Sequence, residues 1–110
     1  MKNADKIPPR LKSVFWSTDI SKLHLQKHKG YIIHQILQYG QFEDLHWLFK
    51  TYGKKEVIRI FVNQPSKNYP KSVYYFIKNY VLGLKNKILD EQDYITSIFG
   101  PIRQRASKNL

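Results

Sequence analysis

Apolar positions recur along this chain mostly at intervals of three and four, the period of helices that bury one face. Leu25, Ile32, Ile33, Ile36 and Leu37 predict a helix over residues 25–39, interrupted by Gly30. Gly40 follows at the place where a helix commonly closes in the left-handed conformation. Glu43 and Asp44 then put acids in a first turn, and Leu45, Leu48, Phe49 and Tyr52 fall at i, i+3, i+4 and i+7 before Gly53, which predicts a second helix over 43–52. In the next segment, 54–62, Val57, Ile58 and Phe61 share a helical face. Ile60 and Val62 are β-branched and leave a strand over 57–62 open, while the short connection favours a helix. A fourth helix is expected near Pro70, since proline is tolerated at a first helical position, with Val73, Phe76, Ile77, Tyr80, Val81 and Leu84 as its buried stripe.

The two ends read differently. Residues 1–9 are polar and finish in Pro8-Pro9, as a flexible tail would, and the domain proper is expected over 10–100. A helical turn or two around Leu11, Val14 and Phe15 should pack through Phe15 and Trp16, and Ser17-Thr18-Asp19 suits a turn or a helix cap. Asp90-Glu91-Gln92-Asp93 opens a last short helix through Phe99, stopped by Gly100-Pro101, and residues 101–110 form a basic tail. The fold expected is therefore all-α, a single small bundle of about five helices. Three compact helices over 25–39, 43–52 and 54–62 have the spacing of a helix-turn-helix core, a spacing shared by any small helical bundle.

Composition narrows the function more than the fold. Hydrophobic residues make up 42% of the 110 and aromatics 15%, enough apolar area to order one domain without a metal or disulfide staple. The absence of cysteine removes disulfides and thiolate metal sites together and suits a reducing compartment, so a cytoplasmic location is expected. The charged amino terminus lacks a signal-peptide core and the apolar runs are too short to span a bilayer, which argues against a membrane role. Nineteen Lys and Arg against eight Asp and Glu give a net charge of +11, which favours nucleic acid, an acidic protein or an anionic surface as partner.

An enzyme is not expected. The chain has no cysteine, no glycine-rich phosphate loop, no Gly-x-Ser-x-Gly elbow and no carboxylates on facing apolar surfaces, and its acidic clusters read as solvated helix starts. No cofactor is called for. His24 and His28 have the four-residue spacing of a zinc pair but lack a nearby carboxylate, so they read as surface histidines. Residues 67–89 hold five Lys and no acid. On the fourth helix Lys71, Lys78 and Lys85 are seven apart and should form one line with Tyr75 beside them and Lys67 leading in, the parts of a phosphate-tracking surface; a solubilising face is the competing reading. In a helix-turn-helix, Lys54, Lys55, Arg59 and Gln64 would lie on or after the third helix and approach a groove in DNA, although Glu56 dilutes that charge. Trp47, off the apolar stripe of its helix, is either covered by the amino-terminal turn or an anchor for a partner, and Trp16 is the second candidate anchor.

The pattern Leu11-Lys12, Phe15-Trp16, Asp19, Leu23, His28, Ile32-Ile33, Leu37, Tyr39-Gly40, Glu43, Trp47-Leu48 and Tyr52-Gly53 resembles a family of small bacterial proteins of unknown biochemical function. Members are often encoded beside nucleotidyltransferase toxins of the abortive-infection type and are presumed to be their antitoxins. The chain departs from the pattern at Ser17, where an acid is common, and at Gln35, where an Arg is expected. The resemblance implies a protein toxin as partner, neutralised by direct contact, with DNA binding for autoregulation. It brings no catalytic residues. The alternative is a self-standing basic protein that binds DNA or RNA.

Overall fold

A computed structural model of the chain describes residues 7–16 and 18–96. Four α-helices carry the fold: α1 (Lys29–Tyr39), α2 (Phe42–Tyr52), α3 (Lys54–Asn63) and α4 (Lys71–Phe76), the last running on into a π-helical turn, Ile77–Val81. Short 3-10 turns at Pro9–Ser13, Ile20–Lys22 and Glu91–Asp93 complete it, and among the described residues the only β pairing is a single parallel bridge between Tyr69 and Ile95. Asp19 and Asp90 start two of these turns by accepting the backbone N–H two residues on, at 3.0 Å each. The chain is mostly helical, as its periodicity predicts.

Helix α1 begins four residues later than its apolar pattern, because residues 25–28 form a turn closed by imidazoles. His28 Nδ1 accepts the His24 N–H at 2.8 Å, and His24 Nδ1 accepts the Lys27 N–H at 3.1 Å. Segment 54–63 is a helix, which settles the strand alternative for 57–62. Ile7 is buried in the core and Pro9 opens the first turn, so described structure precedes Arg10; residues 1–6 of the expected tail lie outside the described residues. Phe15 is buried as expected; Trp16 is 60% exposed, its ring set edge-on to Tyr39 at 4.6 Å. Of the expected final helix, the described residues form only the turn at Glu91–Asp93. Its expected end at residues 97–99, the basic tail over 101–110, and Ser17 lie outside the described residues.

Helices α1, α2 and α3 pack against one another around Ile32, Ile33, Ile36, Leu48, Val57 and Ile60. The corner between α1 and α2 is tight. Gly40 has φ −76° and ψ 161°, so it is extended rather than left-handed. Glycine is required there for space: a Cβ would stand 2.7 Å from the Ile36 carbonyl oxygen and 2.9 Å from Asp44 Cβ. Gly40→Ala is expected to cost about 1–3 kcal/mol of stability, seen as a lower urea midpoint with unchanged slope. Asp44, buried in the first turn of α2, completes the corner. One carboxylate oxygen accepts the Gln41 N–H at 2.9 Å, and the other pairs with Arg10, tying the amino-terminal turn to α2.

The second half of the core is aromatic. Phe61 of α3 stacks on Tyr94 at 4.8 Å and lies 5.9 to 6.2 Å from Tyr69, Tyr74 and His34, and the Tyr94 hydroxyl donates to the Phe61 carbonyl at 2.7 Å. This cluster decides which face of α4 is buried. Tyr74, Ile77 and Lys78 turn inward, whereas Phe76 and Tyr80, expected in the stripe, are 45% and 71% exposed. Past Ile77 the π turn adds one residue before the ladder closes, Leu82 N–H to Ile77 O at 2.9 Å. Leu82 therefore takes the buried place that the α period gives to Val81. The hydroxyl of Tyr74 is buried with no hydrogen-bond partner among the described residues. Tyr74→Phe is accordingly expected to leave thermal stability unchanged or to raise it, since an unmade bond costs more than its absence.

Candidate functional site

A surface depression lies where the α1–α2 corner faces α4. It is a groove of about 480 Å³ lined by Leu37, Gln38, Gly40, Gln41, Phe42, Leu45, Val73, Phe76 and Ile77. Leu37, Leu45 and Ile77 are buried and form its floor, while Phe42, 77% exposed, and Phe76 stand at its edges. Few polar groups are free inside it. The Gln38 amide donates to the Asn68 carbonyl, and Gly40 contributes no side chain. Among the described residues that line it there is thus no acid, base or nucleophile; what the groove offers is apolar area that water covers poorly.

Phe76 and Tyr80 continue this surface along α4 and its π turn, with ring centres 6.3 Å apart, and the Lys85 ammonium stands 5.8 Å from the centre of the Tyr80 ring. Phe76 and Tyr80, expected in the core stripe, are exposed instead, and Phe42 joins them at the surface. Phe42 lies three residues before Leu45 and seven before Phe49, so the apolar stripe of α2 already extended to it.

The basic residues are expected as two sets, one on the third helix and one along the fourth. Lys54 and Lys55 are exposed at the start of α3, and Lys67 is exposed in the loop before α4. Arg59 is not free. It donates to both Glu56 carboxylate oxygens, at 2.9 and 2.6 Å, and Lys29 meets the same carboxylate at 2.7 Å. These two cations hold the Glu56 carboxyl down at about 2, well below the usual carboxylate range. Lys78 is only 8% exposed, so the line Lys71, Lys78, Lys85 is not a surface; inward rotation of Tyr74 and Ile77 carries Lys78 with them. Its ammonium finds the Asn79 side-chain oxygen at 3.4 Å. Lys71 lines a small cleft together with Glu91, Gln92 and Ile95. Tyr75 is half-buried against Tyr74, and Trp47 is half-buried on the core, which removes both from the freely exposed groups.

His34 is the one buried histidine, and its role is structural. Its Nε2 lies 2.6 Å from the Gln64 carbonyl, which can only accept, so the proton sits on Nε2 and Nδ1 accepts from the Tyr69 hydroxyl at 2.7 Å. Burial pushes the imidazole below its ordinary value of 6.5, partly opposed by the Gln64 carbonyl. The unfolded chain then binds a proton that the folded chain refuses. Stability from this group is fully present above about pH 6.5 and falls as the pH drops from there toward the depressed folded value. Denaturation midpoints measured from pH 7.5 to 5.5 should fall, and His34→Gln should flatten that slope; Glu56 adds its own loss only below its ordinary value of 4.5.

The chain matches a family of unknown function (DUF6922) over residues 11–61. That span runs from the first turn through most of α3 and includes Leu37, Phe42 and Leu45 on one side of the groove. Val73, Phe76 and Ile77 on the other side lie beyond it. No curated protein and no solved structure matches the chain.

Proposed function

We propose that this chain is a binding protein that docks a partner protein in the groove between the α1–α2 corner and α4, and that it acts as an antitoxin, silencing a toxin by contact. The observation carrying this reading is the pair of exposed phenylalanines, Phe42 and Phe76, standing over an aliphatic floor. Exposed aromatic edges on an apolar depression are how protein interfaces place their anchors. The resemblance of residues 11–53 to presumed antitoxins supports a toxin of the nucleotidyltransferase kind as partner. Trp16 adds an exposed aromatic on the amino-terminal turn. Co-expression with each neighbouring gene product, followed by size-exclusion chromatography in high salt, tests the reading. It predicts a stable heterocomplex, because an apolar interface survives salt; elution of the chain alone in every case would overturn it.

A second reading rests on a different observation, the exposed Lys54 and Lys55 opening α3 directly after Gly53, together with Lys67 and the net charge of +11. In it α2 and α3 serve as a helix-turn-helix that meets operator DNA for autoregulation. Binding should weaken steeply with salt and should be lost in the Lys54→Glu/Lys55→Glu variant while the heterocomplex persists.

A further inference from the structure

We infer that the groove receives an acidic amphipathic segment of the partner, its apolar side chains seated between Phe42 and Phe76 and a carboxylate set against Lys85; this rests on the docking reading proposed above. Apolar surface and positive charge are continuous here. From Phe76 the exposed rings pass to Tyr80, and Lys85 lies over Tyr80 at 5.8 Å. The ion pairs among the described residues are those of Arg10 with Asp44 and of Glu56 with Lys29 and Arg59, so among the described residues no carboxylate pairs with Lys85. No acid occurs between residues 67 and 89.

A partner laid along Phe76 and Tyr80 takes water from the Lys85 ammonium. Desolvating that charge is unfavourable unless the partner brings an anion to it. The floor fixes what else the partner carries. Leu37, Leu45 and Ile77 offer no hydrogen bonds, and the Gln38 amide is already engaged by Asn68. A nucleic acid needs groups for its base edges and several cations for successive phosphates, whereas this strip ends in one lysine. Aliphatic or aromatic side chains beside Glu or Asp fit both ends of the strip, which is the pattern of an amphipathic helix laid in a groove.

Fluorescence anisotropy with labelled synthetic peptides tests this on the full chain. One peptide carries Leu and Phe at i, i+3, i+4 and i+7 with Glu elsewhere, and the second replaces every Glu by Lys. The acidic peptide should bind at least about tenfold more tightly. Lys85→Glu should reduce that preference severalfold, more than Lys22→Glu, which makes the same charge change on the Ile20–Lys22 turn. Phe76→Ala should weaken the acidic peptide about tenfold. Equal responses to Lys85→Glu and Lys22→Glu, or no preference for the acidic peptide, overturn the inference and leave the docking reading standing. Binding indifferent to Phe76→Ala removes the docking reading as well. Failure of the acidic peptide to bind at millimolar concentration overturns the inference, as does oligo-dT that competes with it and loses affinity in Tyr80→Ala.

Discussion

Phe61→Ala should lower the unfolding free energy by roughly 3–5 kcal/mol, the range for truncating a fully buried aromatic ring. Phe61 has no exposed surface and joins α1, α3, α4 and the carboxyl-terminal turn through His34, Tyr74 and Tyr94. The gap would be hard to refill, because Tyr94 is held by its hydroxyl on the Phe61 carbonyl and Tyr69 by His34. Those bonds use backbone and ring atoms that survive the substitution, so the tyrosines stay in place around a void. A domain of this size has about 5–15 kcal/mol in all, and each kcal/mol moves the melting temperature by about 4–8 °C. Calorimetry should therefore show a fall of more than 10 °C by that scale, or no cooperative transition. A change below about 1 kcal/mol would mean that the aromatic cluster does not hold α4 on the three-helix core.

The second large effect concerns binding and should leave stability untouched. In Phe42→Ala/Phe76→Ala, both rings are removed from positions where much of their surface already meets water, so the unfolding midpoint should stay within about 0.5 kcal/mol of the parent. The partner complex should nevertheless lose on the order of 2–4 kcal/mol per anchor, a weakening of more than a hundredfold at the lower figure. Isothermal titration on the purified heterocomplex components gives both the affinity and the heat-capacity change. Losing the anchors should make that change less negative, since less apolar area is buried. Unchanged affinity in the double variant would place the interface elsewhere, and the exposed Trp16 and Tyr39 pair is the next surface to alter.

Legibility differed between the two halves of the chain. Over residues 29–63 the glycines at 40 and 53 and the three- and four-residue spacing of Ile, Leu and Val determine where helices run and which faces are buried, because such side chains gain little by staying exposed. The physical role of Gly40 was not legible, since the lack of room for a Cβ comes from the Ile36 carbonyl and from Asp44 across the corner.

From residue 69 onward the decisive side chains are tyrosines, which periodicity alone cannot assign to core or surface because each has an apolar ring and a polar tip. Tyr74 and Tyr94 are buried, whereas Tyr80 is exposed, and only contact with Phe61 separates them. That contact rotated α4, buried Lys78 and exposed Phe76, dissolving the lysine line and assembling the groove from two separate segments, 37–45 and 73–77. The net charge of +11 belongs to the sequence by itself; where that charge stays free was decided by tertiary structure, which brought Lys29 onto Glu56, placed Lys71 and Glu91 on one cleft, and set Lys85 over Tyr80 with no carboxylate partner among the described residues.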